Sequence, residues 1–233
     1  MTSVREFFDR SVLAVARDLL GAQLTVRGPG GAVTVRLTEV EAYDGEFDPG
    51  SHAYRGRTAR NATMFGPGGH LYVYRHLGLH HCANIVCGPE GRPSGVLLRA
   101  AEVTGGVELA RERRAASGVV RTDRDLARGP ARLTVALGID RSDDGADVME
   151  PEGRMTLEPR PGWPSPEETT QGHGPVGVRT GPRVGVSGEG GRADLFPWRF
   201  WLAGEPTVSD YRPAAPRRSR TAATPAPGRK RTT

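Results

Sequence analysis

The sequence places two carboxylates and a phenol where a predicted strand ends. Apolar residues alternate along residues 32–43, and a period of two extends their face to three polar side chains. The residues of this face are Val33, Val35, Leu37, Glu39, Glu41 and Tyr43. Carboxylates on an apolar face are costly unless they serve a function or lie at the sheet's end, and a β-bulge would turn one of them to solvent. We therefore take Glu41 as a candidate acid–base group.

The segment that follows is rich in groups that bind nucleic acids. Residues 49–89 contain no Asp or Glu, but they hold four arginines, three of the five tyrosines and five of the six histidines. These residues are Arg55, Arg57, Arg60, Arg75, Tyr54, Tyr72, Tyr74, His52, His70, His76, His80 and His81. Arginines bind phosphates, aromatic side chains stack on bases, and a carboxylate activates water. This combination favours chemistry on a nucleobase.

A single arginine, Arg99, lies among the largely apolar residues 95–102, which we predict to form a buried strand. A buried guanidinium requires an anion, which is either a carboxylate of the protein or a group in a site. On a strand next to Glu41, Arg99 would steer the water that this carboxylate activates.

Charge is unevenly distributed along the chain. The 233 residues carry a formal net charge of +5. From Arg212 onward there are six Arg, one Lys and no acid, so this segment contributes +7 and the rest of the chain carries −2. A uniformly basic binding protein would not show this separation. The last residues, 213–233, are polar and rich in Pro, Ala and Arg, so we predict a disordered tail after a single domain at residues 1–212.

The chain carries the features of a cytoplasmic protein. It has only two cysteines, Cys82 and Cys87, which indicates a reducing compartment. Arg17 and Asp18 interrupt the N-terminal apolar run, so we predict no signal peptide, and no stretch has the length of a membrane helix. Nothing in the sequence demands a cofactor.

Histidines and cysteines that are close in sequence raise the question of a metal site. His80, His81, Cys82 and Cys87 are neighbours, but their spacing matches neither a zinc finger nor a deaminase. Neither cysteine stands in a recognisable nucleophile signature. We therefore predict no metal and favour carboxylate chemistry.

The remaining elements follow from periodicity and turn signals. We predict helices at residues 11–20, 104–117 and 130–137, and strands at 22–27, 32–43, 71–74, 83–86, 95–102, 183–186 and 199–202. Gly28-Pro29-Gly30-Gly31 predicts the turn between the first two strands.

With these residues placed, the sequence resembles the alkyladenine (3-methyladenine) DNA glycosylases. The resemblance extends over roughly residues 10–210, with the motifs in family order and spacing. The motifs are TEVEAY at residues 38–43, His52, MFGPGGHLYVY at 64–74, Cys82-Ala83-Asn84, VLLRA at 96–100, RGPARL at 128–133 and RVGV at 183–186. Each motif alone is weak, but the combination is highly specific.

The resemblance implies an enzyme that flips a damaged purine nucleotide out of double-stranded DNA and hydrolyses its N-glycosidic bond in base excision repair. It implies an α+β fold, a single mixed domain with a curved antiparallel sheet flanked by helices. Glu41 matches the general base that activates water for attack on the sugar C1′. Arg99 and the backbone carbonyl of Val184 match the groups that hold this water. The implied partner is double-stranded DNA with a damaged purine. The resemblance implies that no cofactor is needed, and we expect a monomer.

Further residues match the family's base pocket and DNA surface. By resemblance, Tyr43, His52 and Tyr74 form the walls around the flipped base, and Asn84 screens out purines with a wrong exocyclic group. Leu77 stands at the wedge position that fills the gap in the duplex, where a family member carries tyrosine. We expect Arg75 and Met64 to contact DNA as well.

Two readings besides a purine glycosylase remain open. The same surface would also suit a damaged-DNA-binding module without catalysis, or an unrelated carboxylate hydrolase that acts on free nucleosides. The only lysine, Lys230, lies in the predicted tail, so Schiff-base chemistry would need that residue or the chain's own N-terminus. We therefore predict a monofunctional glycosylase, which leaves an abasic site and does not cut the strand.

Overall fold

Eight strands and three helices form the part of the chain that the computed structural model describes, residues 4–160 and 177–214. The strands are β1 (Gln23–Gly28), β2 (Gly31–Tyr43), β3 (Leu71–His76), β4 (His80–Cys87), β5 (Ser94–Gly105), β6 (Met155–Glu158), β7 (Val178–Gly181) and β8 (Arg199–Leu202). The helices are α1 (Val12–Leu19), α2 (Val107–Ala115) and α3 (Pro130–Leu137). None of these helices is long and apolar enough to span a membrane.

The strands form one antiparallel sheet in the order β3-β4-β5-β2-β1-β6, and β8 pairs with both β2 and β7. The long strand β2 is the centre of this sheet. Its first half pairs with β1, and Glu39, Val40 and Glu41 pair with β8 on the same edge. This arrangement confirms the predicted α+β class with an antiparallel sheet. It also encloses the carboxylates of β2 between two neighbouring strands, β5 and β8.

Two β-bulges decide which way the polar residues of β2 point. Leu37 pairs with Ala101 and Glu39 with Ala100, so Thr38 is an extra residue of β2. Glu39 pairs with Ala100 and Val40 with Leu98, so Arg99 is an extra residue of β5. Successive side chains of a strand point to opposite faces of the sheet, and each extra residue shifts this alternation by one residue. In both β2 and β5, the side chains beyond the bulge therefore point to the opposite face from the one that the earlier alternation predicts.

The phase change corrects the prediction that Glu39 and Glu41 continue the face of Leu37. After the bulge, Val40 and Ala42 carry on the hydrophobic core, whereas Glu39, Glu41 and Tyr43 lie on the opposite face. A bulge was expected to turn one carboxylate to solvent. Instead, the bulge turns both carboxylates away from the hydrophobic core, and both remain fully buried. A buried cluster of polar groups is thus built on the side of the sheet away from the core.

The hydrophobic core lies between the other face of the sheet and the three helices. α1 begins where Ser11 Oγ accepts a hydrogen bond from Leu13 N, and it packs its apolar stripe on β2 and β5. α3 begins with Pro130 at its first turn and ends at Gly138, which has the positive φ of 68° that suits a helix C-cap. α2 is shorter than predicted because residues 104–105 complete β5.

Residues 183–186 are not the strand that the sequence predicts. The strand of this region, β7, comes earlier, and residues 184–185 form a turn. Pro182 has no N–H to donate to a ladder, and Gly185 has a φ of 72°, so neither suits a regular strand. The predicted strand at 199–202 is confirmed as β8. The predicted tail lies almost entirely outside the described residues.

Candidate active site

A cavity of about 490 Å³ opens on the face of the sheet opposite the core. The ends of β2, β3, β4 and β5 form its floor, and the segments at residues 49–52 and 184–187 form its walls. All seven residues predicted for catalysis or base binding line this one cavity, and so does Met64, which was predicted to contact DNA. The seven are Glu41, Tyr43, His52, Tyr74, Asn84, Arg99 and Val184.

Glu41 is fully buried at the base of the cavity, and its contacts are all with donors. Its Oε1 accepts a hydrogen bond from the backbone N–H of Val184 at 2.7 Å and lies 3.3 Å from Arg99 Nη1. Its Oε2 accepts a hydrogen bond from the Tyr43 hydroxyl at 2.8 Å. The carboxylate is therefore held in one orientation, which is what a general base requires.

Arg99 connects the two carboxylates of β2. Its Nε donates to Glu39 Oε1 at 3.1 Å, while Nη1 lies beside Glu41 and Nη2 donates to Ser209 Oγ at 3.2 Å. Glu39 and Glu41 favour the charged guanidinium, and despite burial the pKa of Arg99 is raised above its ordinary value. The anion that we predicted beside the buried Arg99 is thus a pair of carboxylates of the protein, Glu39 and Glu41.

Glu39 organises the cluster behind the catalytic candidate. Its Oε1 accepts from Arg99 Nε, from Arg199 Nε at 2.6 Å and from Ser209 Oγ at 3.0 Å, and its Oε2 accepts from Ser209 N at 2.7 Å. The sequence predicted Glu41 as the general base but predicted no role for Glu39. The contributions of Arg199 and Ser209 were also missed, because both residues come from the distant C-terminal segment and carry no local signal.

A second buried ion pair supports Tyr43 from behind. Arg183 and Asp48 are both fully buried and form a bidentate pair, in which Arg183 Nη2 lies 2.7 Å from Asp48 Oδ1. The guanidinium also lies 4.5 Å from the centre of the Tyr43 ring. Burial, with the charge of Glu41 as a second cause, raises the pKa of Tyr43 well above its ordinary value. The phenol therefore stays protonated and donates to Glu41.

Three aromatic side chains form the wall beside Glu41. The rings of Tyr72 and Tyr74 are stacked with centroids 5.6 Å apart, and His52 meets Tyr74 edge to face at 4.5 Å. His52 Nδ1 lies 3.3 Å from the Tyr72 hydroxyl. Partial burial, with the charges of Arg60 and His76, lowers the pKa of His52, so the imidazole is neutral at pH 7. Tyr72 is a lining residue that the sequence analysis did not assign to the pocket.

Other predicted residues fill the cavity floor. Asn84 is buried, and its Nδ2 donates to the backbone oxygen of Tyr72 at 3.1 Å, which fixes the direction of the amide. Met64 is buried in a small apolar cluster with Tyr72, Ala53 and Val86. Met64 is thus a buried residue of the pocket lining, and its contact with DNA stays a prediction.

The two cysteines lie on opposite faces of β4. Cys82 lines the cavity, whereas Cys87 belongs to the hydrophobic core, and both are free thiols. Burial raises the pKa of Cys82, and it raises that of Cys87 to about 12. Neither thiol is therefore a ready nucleophile at neutral pH. Among residues 4–160 and 177–214, no group of three or more His, Cys, Asp and Glu side chains is placed to hold a metal ion.

The hairpin between β3 and β4 projects beside the cavity. Leu77 at its tip is 80% exposed, and it is the one non-glycine residue with a positive φ in the described chain, at 50°. Leu79 is 72% exposed on the other side of Gly78. Arg75 is exposed on the same hairpin, and its backbone oxygen accepts a hydrogen bond from Arg60 Nη2 at 3.2 Å.

Comparison with known proteins sets this geometry in context. The family model described as "Methylpurine-DNA glycosylase (MPG)" matches residues 6–206, which is most of the chain. The chain belongs to the methylpurine-DNA glycosylase family. It is therefore a DNA repair enzyme, a DNA-3-methyladenine glycosylase of the base excision pathway.

Several known proteins are similar to this chain over most of its length. A protein of Streptomyces avermitilis is 57% identical over 218 residues, which are 93% of this chain and 95% of the relative. A protein of Leifsonia xyli is 53% identical over 89% of this chain and 92% of its own length, and one of Nocardia farcinica is 47% identical over 86% and 88%. All three carry the name "Putative 3-methyladenine DNA glycosylase".

Proposed function

We propose that the glycosylase hydrolyses the N-glycosidic bond of a flipped, damaged purine nucleotide with Glu41 as its general base. The observation that carries this proposal is the buried Glu41 carboxylate at the base of a cavity with an aromatic wall. Glu41 accepts a proton from water, the water oxygen attacks the sugar C1′, and the bond from C1′ to the purine nitrogen breaks. Arg99 and the backbone of Val184, both in contact with Glu41, hold the carboxylate and the attacking water.

The aromatic wall suits the leaving group. A purine methylated on a ring nitrogen carries positive charge, and the faces of aromatic rings attract cations. Tyr43, His52 and Tyr74 surround the space beside Glu41, and His52 is neutral at pH 7, so it does not repel a cationic base. Asn84, whose amide direction is fixed, screens the exocyclic groups of the purine edge.

Flipping requires a side chain that fills the gap in the duplex. We propose Leu77 for this wedge, because it is apolar, exposed and displayed at the tip of a hairpin next to the cavity. Arg75 on the same hairpin binds the backbone of the duplex. Leucine stacks less well than an aromatic ring, so the flipped state is less stabilised here than with tyrosine.

We further propose that the enzyme is monofunctional and works as a monomer in the cytoplasm. The chain has one lysine, Lys230, and this residue is far in sequence from the motifs of the site. Residues 4–160 and 177–214, which the structure describes, contain no lysine to form a Schiff base with the sugar, so the expected product is an abasic site in an intact strand.

The direct test uses a duplex with a single alkylated purine. We expect the protein to release the free base, measured by chromatography, while the strand stays uncut until alkali is added. Borohydride should trap no covalent complex. A module that only binds damaged DNA would retain the duplex and release no base, and a nucleoside hydrolase would be insensitive to competition by undamaged duplex. Strand cleavage with a trapped intermediate would contradict the monofunctional mechanism.

A further inference from the structure

A second concave surface adjoins the base cavity and is lined mainly by arginines. This groove has a volume of about 680 Å³ and shares Arg99, Pro130 and Val184 with the cavity. Five more arginines line it, namely Arg121, Arg124, Arg128, Arg132 and Arg212, against two acids, Asp125 and Asp210. A concave surface with this excess of guanidinium groups favours an anionic ligand.

The acids do not neutralise the groove. Arg128 is paired with Asp210 at 2.8 Å, but Arg132 lies only at the limit of an ion pair with Asp125, at 3.9 Å. Within the described part of the chain, no carboxylate lies within 4.0 Å of Arg121 or Arg124. Their charges are therefore available to a ligand.

A buried cation deepens the positive potential near the groove. Arg114 of α2 is 6% exposed, and in the described structure its Nε has no hydrogen-bond partner. Burial lowers the pKa of Arg114, and the nearby charge of Arg132 lowers it further. An anion bound at Arg132 would relieve this repulsion.

The start of α3 adds backbone donors at the same place. Gly129 provides no side-chain cap, and the first amide bonded within the helix is Leu133 N, to Gly129 O at 2.9 Å. The amides of Ala131 and Arg132 therefore face the N-terminus of the helix and have no acceptor within α3. Gly129 has a φ of 111°, and a Cβ at this residue would meet open space, so the backbone itself is accessible.

This segment is fixed directly to the catalytic strand. Arg128 forms a β-bridge with Ala100, the residue after Arg99, and Ala101 N donates to Ala127 O at 3.2 Å. Arg128 Nε also donates to Val208 O at 2.8 Å, next to Ser209, which contacts Glu39. A ligand at the start of α3 would thus lie at a fixed position relative to Arg99 and the cavity.

We propose that residues 128–132, together with Arg121 and Arg124, form the binding site for the phosphodiester backbone beside the flipped nucleotide. The phosphate lies at the N-terminus of α3 between Arg128 and Arg132, and the strand continues past Arg121 and Arg124. This gives the RGPARL motif a role in positioning the strand. The inference rests on the proposed function, because it takes the cavity as the place of the flipped base.

The test measures the salt dependence of DNA binding. Arg124→Gln/Arg132→Gln removes two exposed arginines of the groove, and Arg27→Gln/Arg179→Gln removes two exposed arginines that line neither the groove nor the cavity. Both double variants change the net charge equally. Binding is followed by fluorescence anisotropy over a series of KCl concentrations, with an undamaged duplex and with the same duplex containing a tetrahydrofuran abasic analogue.

We expect the slope of log affinity against log salt concentration to be less steep by about 1.8 in the groove variant than in the wild type, since each of the two phosphate contacts contributes about 0.9. A fourfold rise in salt should then weaken the groove variant about 12-fold less than the wild type. Both duplexes should show the same change, because phosphate contacts carry no base information. The control variant should keep the wild-type slope. Equal slopes for the groove and control variants would overturn the proposal.

A second readout locates the phosphate. Single neutral methylphosphonates are placed one at a time on either side of the abasic analogue. At one position the substitution should weaken the binding of DNA by the wild type, but weaken the binding of DNA by the groove variant much less. Equal sensitivity of both proteins at every position would overturn the site even if the salt slopes differed. Failure of the proposed function has a different signature, because the wild type would then release no base from an alkylated duplex.

Discussion

The buried pair of Arg183 and Asp48 gives the sharpest prediction about the scaffold of the site. Both side chains are 0% exposed, and Arg183 packs on the ring of Tyr43. In Asp48→Asn the guanidinium loses its counter-charge but keeps the backbone acceptors of Ala42 at 2.9 Å and Gly190 at 2.6 Å. Removing one partner of a buried pair costs about 3–5 kcal/mol. Because these acceptors remain, we expect the lower end, about 3 kcal/mol of the free energy of unfolding.

The measurement is urea unfolding, followed by tryptophan fluorescence, with thermal unfolding beside it. For a chain of this length, a loss of about 3 kcal/mol lowers Tm by roughly 6–12 °C. Asp194→Asn is the matched control, since Asp194 forms a similar pair with Arg192 but its side chain is 62% exposed. We expect the control to unfold like the wild type. If the two variants lost the same stability, burial would not determine the strength of the Asp48 pair, and the reasoning would be refuted.

Three more predictions concern the site and its surroundings. Glu39→Gln should destabilise the fold by about 3 kcal/mol and slow base release about 100-fold, because Arg99 loses the partner that orients it; normal single-turnover rates would refute this role. Folding lowers the pKa of His52, so the unfolded chain binds the proton more readily, and the free energy of unfolding of the wild type should fall as the pH drops below 6.5. The free energy of unfolding of His52→Gln should fall less between pH 7.5 and 5. Leu77→Ala should slow excision from duplex DNA about tenfold, from a loss of about 1.5 kcal/mol of apolar contact, while excision from a single strand stays nearly constant.

The elements of the fold were largely predictable because their patterns are local. Ser11 and Pro130 mark helix starts, Gly28-Pro29-Gly30-Gly31 marks a hairpin turn, and β2 alternates over its first half. The failures arise where geometry depends on a neighbouring strand. Nothing in the sequence marks Thr38 or Arg99 as an extra residue of its strand, and only the pairing of β2 with β5 reveals the two bulges. The side of the sheet that carries Glu41 could not be read from β2 alone.

The candidate site was predictable residue by residue only where a motif carried it. Glu41, Tyr43, His52, Tyr74, Asn84 and Arg99 belong to recognisable stretches, and the structure brings them into one cavity. Ser209 and Arg199 contact Glu39 across about 160–170 residues of sequence, and no local pattern announces such a contact. The arginine groove was missed for the same reason, since the residues that line it come from four separate segments of the chain. Long-range contacts therefore account for most of what the sequence did not show.

Glu41→Gln, measured for binding and for base release in the same preparation, tests the central claim most directly. The substitution keeps the shape of the side chain and removes its ability to accept a proton from water. We predict that the variant binds a duplex with an alkylated purine about as tightly as the wild type, but releases the base at least 100-fold more slowly in a single turnover. Release at the wild-type rate would contradict the assignment of Glu41 as the general base.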